Sequence, residues 1–140
     1  MNKMKRAQLI SSTKALGYSM GGLRVLVPRA QFFDGNDDLG SIGCNLLHHP
    51  GIAAFDDAFR RIEGMEGVAG VHLAITEIDE TSDTIWPFTD TAYIVTRLDP
   101  LTFADVLKPL ESDEIGYSEE IFANPPTVPT GYRLVQVWWD

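Results

Sequence analysis

Cys44, His48, His49 and His72 carry the side chains in this sequence that would bind a transition metal or act as a nucleophile with its base. Cys44 and His48 are close enough along the chain for one helical turn to bring them together. A structural zinc site needs four ligands, however, and no second closely spaced pair completes the set. No nucleophile elbow or cysteine-protease signature surrounds Cys44. We therefore predict neither a catalytic residue nor a metal site here.

A second candidate metal site is the acidic turn at residues 34–40. Asp34, Asn36 and Asp38 place oxygen atoms at alternate positions, as calcium loops do. The loop glycine stands one place too late for an EF-hand, and Asn45 occupies the position of the bidentate glutamate. A turn built from Asp, Asn and Gly, which tolerate left-handed backbone, explains the segment better.

The sequence also predicts no bound cofactor. No Gly-x-Gly-x-x-Gly motif follows a predicted strand, and no phosphate-binding loop ends in Gly-Lys-Ser/Thr.

Trp86, Phe88 and Asp90 stand in the connection between two predicted strands. Aromatic anchors beside an acid are typical of contacts with a protein partner. The same aromatic side chains belong to the core if the connection folds back on it. Four acids just before them would extend a partner-binding surface: Glu77, Asp79, Glu80 and Asp83.

Charge is distributed unevenly along the chain, whose formal net charge is −9 from 11 basic and 20 acidic residues. Residues 1–33 hold six basic residues and no acid, so the remainder has five basic residues against 20 acids, a net charge of −15. Such a field repels nucleic acid and favours a basic protein partner. If the basic N-terminal segment packs on the acidic body, the charges compensate internally instead.

Length and composition indicate a single acidic α+β domain over residues 1–140. One cysteine gives no internal disulfide, and the basic N-terminus is not followed by the apolar run of a secretory signal. No segment approaches the roughly 20 apolar residues of a membrane span. We expect a cytoplasmic protein that does not enter the membrane.

The hydrophobic periodicity predicts helices and strands in a definite order. The best-specified helix carries Ile52, Phe55, Phe59 and Ile62 on one face. On its outer face, Asp56 and Arg60, and likewise Asp57 and Arg61, are four residues apart and can form ion pairs. The predicted elements are a helix at 3–16, a strand at 23–27, a long loop at 29–50, the helix from Ile52, strands at 68–78 and 91–98, a short helix after Pro100, a loop at 111–131 and a strand at 132–139.

After the N-terminal helix this order is β-α-β-β-α-β, the pattern of ferredoxin-like folds. We predict a four-stranded antiparallel sheet with helices on one face and an additional N-terminal helix. Strand alternation then puts His72, Tyr93 and Arg97 on the other face, together with Arg24, Gln136 and Trp138. A face with these side chains is covered by the N-terminal helix or a second subunit, or it binds a ligand.

Three hypotheses for function follow. The leading one is a non-enzymatic acidic module that binds a basic protein, for example as an inhibitor or immunity-type protein against a toxin or nuclease. The second is a small-ligand-binding or enzyme-like domain that uses the sheet face and the Asp34–His49 loop. The third is a structural homodimer that buries the face carrying Trp138.

Overall fold

The structure, a computed structural model, describes residues 1–140. Its regular elements are four α-helices and five strands, joined by short 3-10 turns. In chain order they are α1 (Lys3–Ala15), β1 (Val25–Pro28), α2 (Arg29–Phe33), a 3-10 turn (Leu39–Ser41), α3 (Ile52–Glu63), β2 (Val68–Ile75), β3 (Thr91–Thr96), a 3-10 turn (Pro100–Phe103), α4 (Ala104–Leu107), a 3-10 turn (Lys108–Leu110), β4 (Glu114–Tyr117) and β5 (Arg133–Trp138).

The five strands form one antiparallel sheet in the spatial order β1-β2-β3-β5-β4. The α+β class and the antiparallel sheet are confirmed, but the prediction of four strands is wrong. The additional strand, β4, lies inside the segment 111–131 that the sequence predicted as loop. It pairs with β5, so the sheet extends one strand beyond the expected edge.

The ferredoxin-like order is not found. In that order a helix joins two parallel strands that have a third strand between them. Here α3 lies between β1 and β2, which are direct neighbours and antiparallel. The connection from residue 29 to residue 67 contains α2 and a 3-10 turn besides α3. This length lets the chain return beside β1 in the opposite direction.

The helix α3 confirms the strongest sequence pattern. Ile52, Phe55, Phe59 and Ile62 are all buried. Of the two predicted ion pairs, Arg60 reaches Asp56 at 3.1 Å, whereas Arg61 does not meet Asp57. The periodicity therefore predicted the buried face of α3 correctly, and the spacing of its charges predicted one of the two ion pairs.

The main core lies between the helices and one face of the sheet. It contains side chains from α1, α2, α3 and the α4 region, together with inward side chains of four strands. Its strand residues include Val25, Leu73, Ile75, Ile94, Val135 and Val137.

The other sheet face, called here the outer face, is partly covered by residues 118–128, which we call the strap. Phe122 of the strap packs edge-on against the Tyr93 ring, with 4.8 Å between ring centroids. These two side chains form a small second core with Leu26 and Ala74. The helix α1 does not cover this face, because its Leu9 belongs to the main core on the helical side.

None of the helices combines the length and apolar character needed to cross a bilayer.

Candidate functional site

The most concentrated polar group lies on the outer face, at the end where β1 begins and β2 ends. We call it the Arg24 cluster; its members are Arg24, Asp90, Thr91, Tyr93 and Glu120. Arg24 Nη2 lies 2.7 Å from Glu120 Oε1, and its Nη1 lies 2.9 Å from Asp90 Oδ1. The Arg24 side chain is 23% exposed. One guanidinium thus links the hairpin between β2 and β3 to the strap.

Tyr93 occupies the centre of the Arg24 cluster. Its hydroxyl accepts a hydrogen bond from Arg24 at 2.6 Å and donates one to Glu120 at 2.8 Å. Burial raises the pKa of the Tyr93 phenol well above its usual range; the charge of Arg24 opposes the rise, and Glu120 adds to it. The phenol therefore remains a neutral hydrogen-bond donor at physiological pH.

The carboxylates keep Arg24 charged. Burial by itself lowers the pKa of the Arg24 guanidinium, but the hydrogen bond and charge of Glu120, helped by Tyr93 and Asp90, raise it overall. Every charged group in the Arg24 cluster therefore has a partner within the cluster. The Arg24 cluster thus joins the start of β1 to the β2–β3 connection and to the strap.

An open cleft of about 440 Å³ lies beside the Arg24 cluster. We call it the outer-face cleft; its lining residues are Arg24, Thr76, Asp90, Thr91, Glu114, Gln136 and Trp138. Strand pairing assembles one wall, because Glu114 lies opposite Trp138, and Gly116 lies opposite Gln136. Gly116 has no side chain, and a Cβ atom there would meet nothing within 4 Å. The wall is therefore open at β4.

Three polar side chains of this wall have no partner within the protein. The Glu114 carboxylate, the Gln136 amide and the Trp138 indole N–H make no hydrogen bond or ion pair. A carboxylate beside an indole ring is suited to a cation, and the amide can donate or accept one further hydrogen bond. The chemistry of the cleft thus matches an ammonium or guanidinium group.

Several acids around β4 also lack a cationic partner. Asp105 and Glu111 line a shallow hollow. Lys108 and the β4 residue Ile115 line the same hollow. Glu119 follows β4 and lies in the strap. Together with Glu114, these acids make no ion pair, and the cations near them are Lys108 in the same hollow and Arg133 over the Tyr117 ring of β4. We call them the β4 acids: Asp105, Glu111, Glu114 and Glu119.

The residues predicted to bind a partner differ in burial and in charge pairing. Trp86 is 1% exposed and belongs to the main core. Phe88 is half-buried, and its backbone pairs with Glu77. Asp90 belongs to the Arg24 cluster. The aromatic side chains of this connection therefore do not form an exposed surface.

Two of the four acids predicted in this connection pair with lysines of α1, whereas Glu77 and Asp79 make no ion pair. Lys14 contacts Glu80 at 2.8 Å, and Lys3 contacts Asp83 at 2.9 Å. The hydrogen bond from Lys3 lowers the pKa of Asp83. Hydrogen bonds from Thr81 lower the pKa of Asp79.

The predicted ligand-binding residues are spread along the outer face. His72 lies opposite Tyr93 in the β2–β3 pairing, and burial lowers the pKa of its imidazole. Arg97 lies beyond the end of β3, where it contacts Glu66 at 3.5 Å. Only His72 and Tyr93 are brought together.

The remaining candidates lie on the helical side. His49 packs against Phe55 with 5.3 Å between ring centroids, and its Nε2 lies 2.8 Å from the Ile42 carbonyl oxygen. Cys44 is exposed nearby. In the acidic turn, Asp34 pairs with Lys5, and Asp38 accepts hydrogen bonds from backbone amides. No three His, Cys, Asp or Glu side chains are arranged to hold a metal ion.

Sequence reasoning placed Arg24, Gln136 and Trp138 on the outer face, but it assigned Glu114 and Glu120 to an acidic loop rather than to this face. Both lie in the segment that was predicted as loop. The short run Ile115-Gly116-Tyr117 offers two strand-forming side chains around a glycine, which is too weak a pattern to indicate a strand by itself.

Comparisons with known proteins give one family. The model of the uncharacterized protein YfbO family matches residues 4–137. Uncharacterized protein YfbO of Escherichia coli (strain K12) is 31% identical over 121 residues, which cover 84% of this chain and 84% of that protein. No solved structure matches.

Proposed function

The chain belongs to the YfbO family, and we propose that it is a non-enzymatic, acidic protein-binding module whose partner is basic. The partner would contact the β4 acids and the outer-face cleft. An inhibitor or immunity-type protein that neutralises a basic toxin or nuclease is one form of such a module. The family name carries no activity, so the proposal depends on the distribution of charge.

The supporting observation is that the basic N-terminal segment is compensated internally, while the β4 acids are not. Lys3, Lys5 and Lys14 pair with acids, and Arg6 donates to backbone carbonyls. Arg24 pairs with Asp90 and Glu120. Arg29 pairs with Asp56 and Glu63. The cations of the N-terminal segment are therefore not available to the β4 acids, which make no ion pair. Electrostatic complementarity of this kind speeds association and selects the partner.

A defined basic probe tests the proposal. We expect a synthetic peptide of alternating lysine and valine to bind, and the same peptide with glutamate in place of lysine to show no binding. Raising the salt from about 0.1 M to about 1 M shortens the screening length from about 10 Å to about 3 Å, so affinity should fall steeply. Isothermal titration calorimetry measures both results.

A pair of matched variants locates the site. The triple variant Glu111→Gln, Glu114→Gln, Glu119→Gln should lose about tenfold or more in affinity. A control triple variant removes equal charge from exposed acids elsewhere: Asp57→Asn, Glu66→Gln and Glu80→Gln. The control should bind like the natural protein. Equal losses in both variants, or a loss confined to the control, would contradict the proposed location.

One observation favours a second candidate, a small cationic ligand in the outer-face cleft. The unpartnered side chains of Glu114, Gln136 and Trp138 converge on a space large enough for a guanidinium-bearing molecule. Under this alternative, argininamide should quench Trp138 fluorescence, and Glu114→Gln should abolish the quenching. If the peptide binds and argininamide does not, the protein-binding proposal is the better one.

A further inference from the structure

We propose that the basic partner binds as an extended strand added to the free edge of β4, with one of its long cationic side chains crossing Gly116 into the outer-face cleft. This inference rests on the proposed function and specifies how the partner is held. It adds main-chain pairing to the electrostatic attraction already described.

The two edges of the sheet differ in their backbone hydrogen bonds. The edge of β1 is closed by the strap: Ala123 donates from its backbone to Arg24 at 3.0 Å, and the Asn124 side chain makes two 2.8 Å hydrogen bonds with the Leu26 backbone. The strand β4 makes backbone hydrogen bonds to β5 on one side and to no segment on the other. Unpaired edge groups of this kind form hydrogen bonds with an added strand.

Gly116 connects that free edge to the cleft. Adjacent strands lie about 4.8 Å apart, and directly opposed residues point to the same face. The side chain of an added-strand residue opposite Gly116 would therefore enter the open space above this glycine. Gln136 of β5 lies on the opposite side of that space. A lysine or arginine is long enough to cross this gap and reach Glu114 beside Trp138. A side chain at residue 116 would obstruct the crossing.

Charge selects a basic strand over a second copy of this chain. Glu111 and Glu114 lie at the start of β4, and Glu119 lies just beyond its end. A two-fold antiparallel pairing of β4 with itself would bring the start of one copy beside the end of the other. Glu114 of one protomer would then approach Glu119 of its partner, and like charges across strands are destabilising. A strand that carries lysine or arginine gains from the same acids.

The experiment compares two peptides on the full-length protein. The first is the alternating lysine–valine peptide; the second is identical except that alternate backbone amides are N-methylated, which keeps the charge and removes the strand-pairing donors. We expect the first peptide to bind at least about tenfold more tightly and to slow amide hydrogen exchange across 115–118. The N-methylated peptide should give no such protection.

The outcomes separate this inference from the proposed function. Equal affinity for the two peptides without protection of β4 would overturn strand addition while leaving basic-partner binding in place. Failure of both peptides to bind would overturn both proposals. Protection of β4 in the absence of peptide, together with dimers in sedimentation, would make a second copy the occupant and contradict the inference.

The variant Gly116→Val tests the crossing side chain. Gly116 does not have a positive φ, so valine fits the strand backbone. We expect an unchanged melting temperature and about tenfold weaker binding of the lysine–valine peptide. Glu114→Gln, which keeps the shape of the side chain, should weaken binding in the same direction. Unchanged affinity in both variants would contradict the assignment of the cleft.

Discussion

At the scale of single residues, two tryptophans are equally buried but differ in hydrogen bonding. Trp86 and Trp139 are each 1% exposed. The Trp139 indole N–H donates to the Leu110 carbonyl at 2.8 Å, whereas the Trp86 indole N–H has no partner. A buried donor without a partner has lost its hydrogen bonds to water without replacement. The two positions therefore form a natural comparison.

We expect Trp139→Phe to destabilise the protein by about 1–2 kcal/mol more than Trp86→Phe. The first substitution leaves the Leu110 carbonyl unsatisfied, and the second removes a donor that was already unsatisfied. Urea unfolding, followed by circular dichroism so that the lost tryptophan does not affect the signal, measures the difference. The opposite order would contradict the hydrogen-bond assignment.

The raised pKa of Tyr93 leads to a prediction about the stability of the protein at high pH. An unfolded tyrosine ionises near pH 10, and the raised pKa of Tyr93 keeps its proton longer in the folded state. The resulting contribution to stability is complete below about pH 10 and is lost as pH rises from there towards the folded pKa. An ultraviolet absorbance titration of the folded protein should show one phenol that ionises well above pH 10. Tyr93→Phe should remove that phase, and its persistence would contradict the assignment.

At the scale of elements, one arginine fixes α1 to the connection between β2 and β3. Arg6 is 8% exposed and donates to the backbone carbonyls of Asp79, Ser82 and Ile85 at 2.7–2.9 Å. Lys14 on the same helix makes an ion pair with Glu80 in which both side chains are about half exposed. These contacts differ in burial, so their contributions should differ.

We expect Arg6→Met to cost about 2–4 kcal/mol of unfolding free energy, because three carbonyls lose a charged donor. Lys14→Met is the matched control and should cost about 0.5 kcal/mol or less, as exposed ion pairs do. Denaturant unfolding measures both. If Arg6→Met proves as mild as Lys14→Met, Arg6 does not hold this connection in place.

The elements also show how far the sequence predicts this fold. Local sequence patterns located α1, β1, α3, β2, β3 and β5. Strand order depends on long-range pairing, and β1 beside β2 has no local signature. The element β4 was missed because its four residues obtain their structure from pairing with β5. The candidate site was therefore predicted in part: Arg24 and the β3 and β5 side chains were placed on one face, while Glu114 and Glu120 were assigned to an acidic loop.

At the scale of the whole molecule, the separation of charge along the sequence disappears in three dimensions. The cations of the first 33 residues lie in α1, just before β1 and in α2, where they meet acids from four other segments. Four of the acids that make no ion pair lie around β4. We infer that they also protect the free edge against pairing with another copy, as charges on edge strands commonly do.

Neutralising the β4 acids should therefore promote self-association. We expect the natural protein to sediment as a monomer, and the variant Glu111→Gln, Glu114→Gln, Glu119→Gln to form dimers at high protein concentration. The control variant Asp57→Asn, Glu66→Gln, Glu80→Gln carries the same net charge and should remain monomeric. Dimers in the control as well would assign the effect to net charge rather than to the edge.

The closure of β1 by the Asn124 side chain has a consequence for stoichiometry. A sheet with two free edges can be extended at both ends, so strand addition can propagate into a fibre. Here one edge is occupied by the chain itself, so a partner strand can pair directly with this protein at β4 alone. We expect such a complex to contain one partner strand per molecule and to saturate at a one-to-one ratio.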